Sequence, residues 1–123
     1  MRVLVIDDSR AVRAFIRPIL LEMNFEVIEA GNGQEGLDRL RDYPDTALVL
    51  VDWNMPVMDG LEFIRAVRAD RGNDALRIVM VTTETESEQM NRAMAAGANE
   101  YVMKPFTRDV LIAKLSLMDV FGE

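Results

Sequence analysis

Two observations predict a doubly wound α/β fold, a five-stranded parallel sheet between two layers of helices in a (βα)5 sandwich. Short runs of apolar, mostly β-branched residues alternate five times with stretches of helical periodicity. The strongest runs are apolar at consecutive positions rather than every second one, as in strands covered on both faces. A third observation places chemistry on this frame. Acidic residues end two of the strongest runs, and in open α/β sheets ligands bind beyond the carboxyl ends of the strands.

The first strand is read over residues 3–6. Val12, Phe15, Ile16, Ile19, Leu20 and Met23 follow at helical spacing, with Ser9 as N-cap. Residues 26–30 form a second, weaker strand. Asn32 and Glu35 have the spacing of a capping box, and Pro44 lies past the end of that helix. Residues 47–51 are the third and most apolar strand. After a loop with Pro56 and Gly60, Leu61, Ile64 and Val67 make a helical stripe. Residues 78–81 are the fourth strand. Thr85 and Glu88 suggest a capping box for a helix closed by Gly97. Residues 101–103 form a short fifth strand, and Thr107 caps a last helix expected to run almost to the end.

The chain has 123 residues, half of them apolar, with 14 Lys+Arg against 21 Asp+Glu and a net charge of −7. That length suits one domain over residues 1–123, with no second core or further domain expected. The acidic balance argues against nucleic acid or a membrane surface as partner, since both are anionic. There is no Cys, hence no disulfide, thiolate nucleophile or Cys-based zinc site. There is no His either, which removes imidazole bases and any phosphohistidine of the chain's own. Carboxylates, hydroxyls, Lys and Arg remain, a set that favours Mg²⁺ over zinc or copper. The apolar stretch 47–51 is far short of a membrane span, and the run 3–6 meets Asp7-Asp8 at once, unlike a signal peptide. A cytoplasmic monomer is expected.

Asp7 and Asp8 end the first strand and Asp52 the third. Such carboxylates are costly unless paired, hydrogen-bonded or metal-bound. Their convergence would make a Mg²⁺ site, although Asp at these places also serves simply as a helix cap. Thr82 ends the fourth strand and Lys104, before Pro105, the fifth. Alone they would be a turn residue and a solvated cation. With the acids they form a set able to hold Mg²⁺ and neutralise a phosphoryl group.

These marks, in this order at these element ends, resemble the receiver domain of two-component response regulators over essentially the whole chain. The run Asp52-Trp53-Asn54-Met55-Pro56 with Met58-Asp59-Gly60-Leu61-Glu62 is most similar to the chemotaxis-type, CheY-like members. The resemblance implies the flavodoxin-like strand order 2-1-3-4-5, which is taken from the family and not from periodicity. It implies Asp52 as phosphoryl acceptor from the phosphohistidine of a sensor histidine kinase, with catalysis limited to the domain's own phosphorylation and dephosphorylation. Asp8, Asp52 and the backbone carbonyl of Asn54 would ligate Mg²⁺, with Asp7 acting through water. Lys104 would pair with the phosphoryl oxygens and Thr82 would hydrogen-bond to them. Tyr101 would follow as the second switch residue, its ring turning from exposed to buried, and Asn54 and Glu84 would tune hydrolysis. The expected target is a protein, a flagellar motor switch first; a phosphorelay or kinase-regulating role outside motility is the alternative. A haloacid-dehalogenase-type phosphatase would carry a second Asp two residues after its nucleophile, where this chain has Asn54.

Other features are read more plainly. Trp53 is expected to be part-exposed, and most of the nine Met to fill gaps in the core, with Met90 and Met103 as candidate contact residues. The last helix has one apolar stripe of Leu111, Leu115 and Met118 and another of Val110, Ala113, Leu117 and Phe121, so it is either well buried or a partner surface. Arg10, Arg13 and Arg17 line a solvated or kinase-docking face of the first helix, and Pro18 is expected to kink it.

Overall fold

The computed structural model describes residues 1–83 and 87–118. The strands are β1 (Arg2–Ile6), β2 (Glu26–Ala30), β3 (Thr46–Asp52), β4 (Arg77–Thr82) and β5 (Glu100–Met103). They form one parallel sheet in the order β2-β1-β3-β4-β5. The helices are α1 (Arg10–Glu22), α2 (Gly33–Asp42), α3 (Gly60–Ala69), α4 (Ser87–Ala96) and α5 (Arg108–Ser116). A single 3-10 turn, Arg71–Asn73, precedes β4. The doubly wound architecture and the 2-1-3-4-5 order are as expected.

Strand alternation sorts the core into two layers. Val3, Val5, Leu48, Leu50, Val79, Val81 and Val102 meet Ile16, Ile19 and Leu20 of α1 and Leu111 and Leu115 of α5. Leu4, Ile6, Val49, Val51, Ile78, Met80 and Tyr101 meet α2, α3 and α4, with Phe63 and Ile64 fully enclosed. Each layer covers one face of the sheet, which is why the three central strands, β1, β3 and β4, carry continuous apolar runs.

Caps fix where the helices begin. The Ser9 side chain accepts from Val12 N–H, and that of Thr107 from Val110 N–H. Asn32 accepts from Glu35 N–H, but Glu35 reaches back to Gly31 N–H, one residue before the cap, so that box is displaced from the expected one. A complete capping box lies elsewhere: Asp59 accepts from Glu62 N–H at 2.8 Å, and Glu62 accepts from Asp59 N–H at 3.1 Å. The Thr85 cap lies outside the described residues. Helix α1 continues unbroken through Pro18. Helix α5 is shorter than expected, ending at Ser116 with Leu117 as its C-cap; Phe121 lies outside the described residues.

Several side chains depart from their expected places. Phe15 is half-exposed and rests against Phe106 at the groove between α1 and the β5–α5 connection. Of the nine Met, only Met80 is fully buried; Met23, Met55, Met58, Met90 and Met118 pack on the edges of the core. Arg13 and Arg17 do not form a free basic face, because both pair with Glu29 of β2. The two stripes of α5 part company: Leu111 and Leu115 are buried, whereas Val110 and Leu117 are exposed. No helix among the described residues is long and apolar enough to cross a membrane.

Gly60 lies where the backbone folds back onto the end of β3. A Cβ there would stand 2.3 Å from the carbonyl oxygen of Asp52 and 3.0 Å from Cα of Trp53, backbone atoms that cannot swing aside. At Gly36 the nearest obstacle is the tip of Ile6, a side chain that can turn. Gly60→Ala is therefore expected to cost about 2–3 kcal/mol, and Gly36→Ala about 1 kcal/mol or less after its gain in helix propensity. Urea denaturation of the two variants checks the ranking.

Candidate functional site

The chain reverses its winding direction at β1, which has β2 on one side and β3 on the other. A crevice opens at such a switch point, beyond the carboxyl ends of the strands. Register decides what fills it. Ile6 pairs with Val51, so Asp7 and Asp52 emerge side by side. Asp52 pairs with Val81 and Thr82 with Met103, which brings Thr82 and Lys104 to the same edge.

Asp7, Asp8 and Asp52 each offer a carboxylate oxygen, and the three oxygens lie within 4.8 Å of one another. Asp7 and Asp52 are buried and Asp8 is exposed. Both oxygens of Asp7 are occupied: one accepts from Ser9 N–H at 2.9 Å, the other from Lys104 Nζ at 2.9 Å. The Lys104 ammonium also lies 3.4 Å from Asp52 Oδ1. Burial and then the neighbouring Asp7 push the Asp52 carboxyl above its ordinary value, with Lys104 opposing. Burial works against the Lys104 ammonium, but its hydrogen bond to Asp7 and the charges of Asp7 and Asp52 outweigh it, so its pKa is raised.

Three carboxylates against one ammonium leave two negative charges uncompensated. Octahedral Mg²⁺ with bonds of about 2.1 Å spaces its ligand oxygens about 3 to 4 Å apart. An upper bound of 4.8 Å admits that spacing, so the donor set suits a small divalent cation in charge and has room to close around one.

The remaining expected site residues fall into place unevenly. Thr82 is fully buried, and its carbonyl accepts from Lys104 N–H at 2.8 Å, tying the ends of β4 and β5 together. Tyr101 is buried, with its phenol pKa raised by burial, so its ring stands on the inner side of the expected exposed-to-buried turn. Asn54 is exposed in the bend after β3. Glu84 lies outside the described residues. Trp53 corrects the sequence expectation: it is only 7 % exposed, packed in the layer of Val49 and Val51, with the Arg92 guanidinium 5.9 Å from its ring centre. Period-two alternation from Val51 was the signal for that burial. The Asp59–Glu62 box and Arg13, whose guanidinium donates to the Asp7 carbonyl, were missed as supports of the site.

An Asp whose pKa is raised on folding binds its proton more readily in the folded chain. Its ionised form therefore costs stability at neutral pH, and that cost fades as pH falls through the raised value. Asp52→Asn is expected to raise the melting temperature at pH 7 by about 4 °C or more, and by less at acidic pH. Mg²⁺ should stabilise the parent chain and leave the variant nearly unmoved. Thermal melts at several pH values, with and without Mg²⁺, check all three statements.

Comparison with known proteins agrees with this geometry. The family model for the response regulator receiver domain matches residues 3–116. The chain is 42 % identical over 123 residues to the chemotaxis protein CheY homolog of Campylobacter jejuni, covering 99 % of this chain and 93 % of that one. The structure of Vibrio cholerae chemotaxis protein CheY4 superposes with a TM-score of 0.88 at 34 % identity, covering 94 % and 96 % of the two chains. CheY in the CheX–CheY–BeF3–Mg²⁺ complex of Borrelia burgdorferi superposes with a TM-score of 0.87 at 25 % identity, covering 100 % and 90 %. With a receiver match over nearly its whole length and the acidic site at the expected strand ends, the chain belongs to the response regulator receiver domain family.

Proposed function

We propose that this chain is a stand-alone response regulator, one receiver domain over residues 1–123, that accepts a phosphoryl group on Asp52 from the phosphohistidine of a sensor histidine kinase. One observation carries the reading. A buried carboxylate made more basic by burial lies beside two further acids, with an ammonium 3.4 Å away. In the transfer, an Asp52 oxygen attacks phosphorus, the P–N bond to the donor imidazole breaks, and the imidazole leaves and takes up a proton. The chain has no His, so the donor comes from outside.

Asp8, Asp52 and the carbonyl of Asn54 would hold Mg²⁺, with Asp7 acting through water. The cation supplies charge neutralisation for the phosphoryl oxygens and lets the acids coexist beside them. Asp7, held at both carboxylate oxygens, keeps the Lys104 ammonium aimed at the place where the phosphoryl group arrives. Lys104 then pairs with one phosphoryl oxygen, and the Thr82 hydroxyl donates to another. Asn54 would flank the group and tune the access of water, a role that the family resemblance also gives to Glu84, which lies outside the described residues. The presence of BeF3 and Mg²⁺ in the Borrelia burgdorferi CheX–CheY complex supports the Mg²⁺ reading by likeness.

The readout face is the groove along α4, β5 and α5. It is lined by Met90, Tyr101, Met103 and Val110 among others and encloses about 450 Å³. Its exposed apolar residues favour a protein target over a small solute. The similarity to chemotaxis proteins makes a flagellar motor component the first candidate, in a cytoplasmic and monomeric setting. A phosphorelay or kinase-regulating role outside motility is the alternative.

Incubation with Mg²⁺ and acetyl phosphate is expected to add one phosphoryl group by intact-mass analysis, and none to Asp52→Asn. Lys104→Ala should slow the addition about a hundredfold, the usual cost of removing one stabiliser of developing oxygen charge. No adduct on the parent chain would end the switch reading. Scoring swimming reversals after deletion of the gene separates the motor target from the alternative: lost reversals support the motor, and unchanged swimming the other.

A further inference from the structure

We infer that Arg13 is a positioning residue for the metal-binding acids, acting through the peptide that joins Asp7 to Asp8. Its side chain is mostly buried although it starts from the helix α1 surface. The guanidinium is held at 2.9 Å by Glu29 through Nε, and Nη1 donates to the carbonyl oxygen of Asp7. That carbonyl belongs to the peptide plane leading into Asp8, the exposed member of the acid cluster.

Asp7 is thereby fixed along its whole length. Its N–H donates to Ala30 O, its carboxylate takes Ser9 N–H and Lys104 Nζ, and its carbonyl takes Arg13. A peptide plane pinned at its oxygen sets where the next Cα points, so the direction of the Asp8 carboxylate depends on Arg13. With Arg13 removed, the plane can rotate, and Asp8 must be ordered when the cation binds. Glu29 is shared between Arg13 and Arg17, so one positive charge is left over on this flank. By charge alone, losing Arg13 would favour a cation at the acids, and a weakened Mg²⁺ affinity therefore reports orientation.

Arg17 supplies an internal control. It pairs with the same Glu29 at 2.9 Å, and its other bond runs to the carbonyl of Val27, away from the acids. Loss of Arg17 costs an ion pair on the same carboxylate and leaves the Asp7–Asp8 peptide pinned.

The inference rests on the Mg²⁺ reading above, and one experiment separates the two. Calorimetric titration with Mg²⁺ alone is carried out on the parent chain, Asp52→Asn, Arg13→Gln and Arg17→Gln. Parent binding that Asp52→Asn weakens at least tenfold supports the metal site. Arg13→Gln is then expected to raise the dissociation constant about tenfold, as loss of groups behind metal ligands does, and Arg17→Gln by less than twofold. A merely structural role would lower the fraction of competent protein, and so the stoichiometry, without moving the dissociation constant. Phosphorylation by acetyl phosphate adds a second readout: Arg13→Gln should shift the half-saturating Mg²⁺ concentration and keep the rate at saturating Mg²⁺. If Arg13→Gln does not fold, Arg13→Lys replaces it, keeping the charge without the fork that spans Glu29 and Asp7, and weaker Mg²⁺ binding is again expected. Parent-like affinity in the folded Arg13 variant overturns the inference alone, and no Mg²⁺ binding by the parent chain overturns both.

Discussion

Lys104 stands between Asp7 and Asp52, within 2.9 Å of one and 3.4 Å of the other, and the arrangement of the sheet edge turns on that contact. The acids have no freedom to avoid each other. Parallel pairing of β1 with β3 in the observed register delivers two carboxylates to adjacent places, and the next residue, Asp8, adds a third. At about 4 Å and an effective dielectric of about 20, a pair of unit charges interacts by about 4 kcal/mol. A contact between two acids thus costs about what a contact between an acid and the ammonium contributes. With three acids and one base, repulsion is left over, and it adds to burial, the larger cause, in raising the pKa of Asp52. The edge is stable enough to fold and unsatisfied enough to bind a cation.

That tension demands a rigid frame, and the surrounding backbone supplies one. Gly60 N–H donates to Trp53 O at 2.8 Å, and the absence of a side chain lets α3 begin against the carbonyl of Asp52. The Asp59–Glu62 box fixes the same helix start. Trp53 turns away from the site into the layer beneath α4, with Arg92 of α4 over its ring. On the other flank, Arg13 and Glu29 brace the end of β1 against β2. The acids are therefore held from both sides by groups with no direct part in their chemistry.

Most of this frame was legible in the sequence because burial on two faces leaves an unmistakable pattern. Residues 3–6 and 47–51 could hardly be anything but interior parallel strands, and Asp7, Asp8 and Asp52 follow them without a spacer. The order of strands was not legible from periodicity, since alternation says nothing of which strand lies beside which, and it came from the family resemblance. What periodicity could have given and did not is Trp53: two residues after Val51, it falls on the same buried face. Arg13 was hidden for a different reason. An Arg on a helix beside two others reads as solvent-facing, and only the tertiary pairing with Glu29 turns it inward. The Phe15 case is the converse. Its helical spacing matched the core stripe, but the stripe is wider than the face the sheet can cover, so its edge residue stays half-exposed.

A charge placed on Asp52 has short routes to the groove along α4, β5 and α5. One runs through the chain itself, since the next residue is Trp53 and α4 rests on it. The other runs through hydrogen bonds. Thr82 is wholly enclosed, and its carbonyl holds the Lys104 N–H, so a Thr82 drawn towards a phosphoryl oxygen would take the end of β5 with it. Tyr101 pairs with Met80 in the sheet, within the same layer as Trp53, and stands two residues before Met103 at the end of β5. Close packing favours discrete rearrangement over gradual yielding, because a buried ring has few places to go. The groove borders Tyr101, Met103 and Val110, two of which already expose apolar surface. A dianion at the sheet edge would therefore be felt as a change in shape of an apolar surface, the kind of signal that a protein partner can read and a small solute cannot.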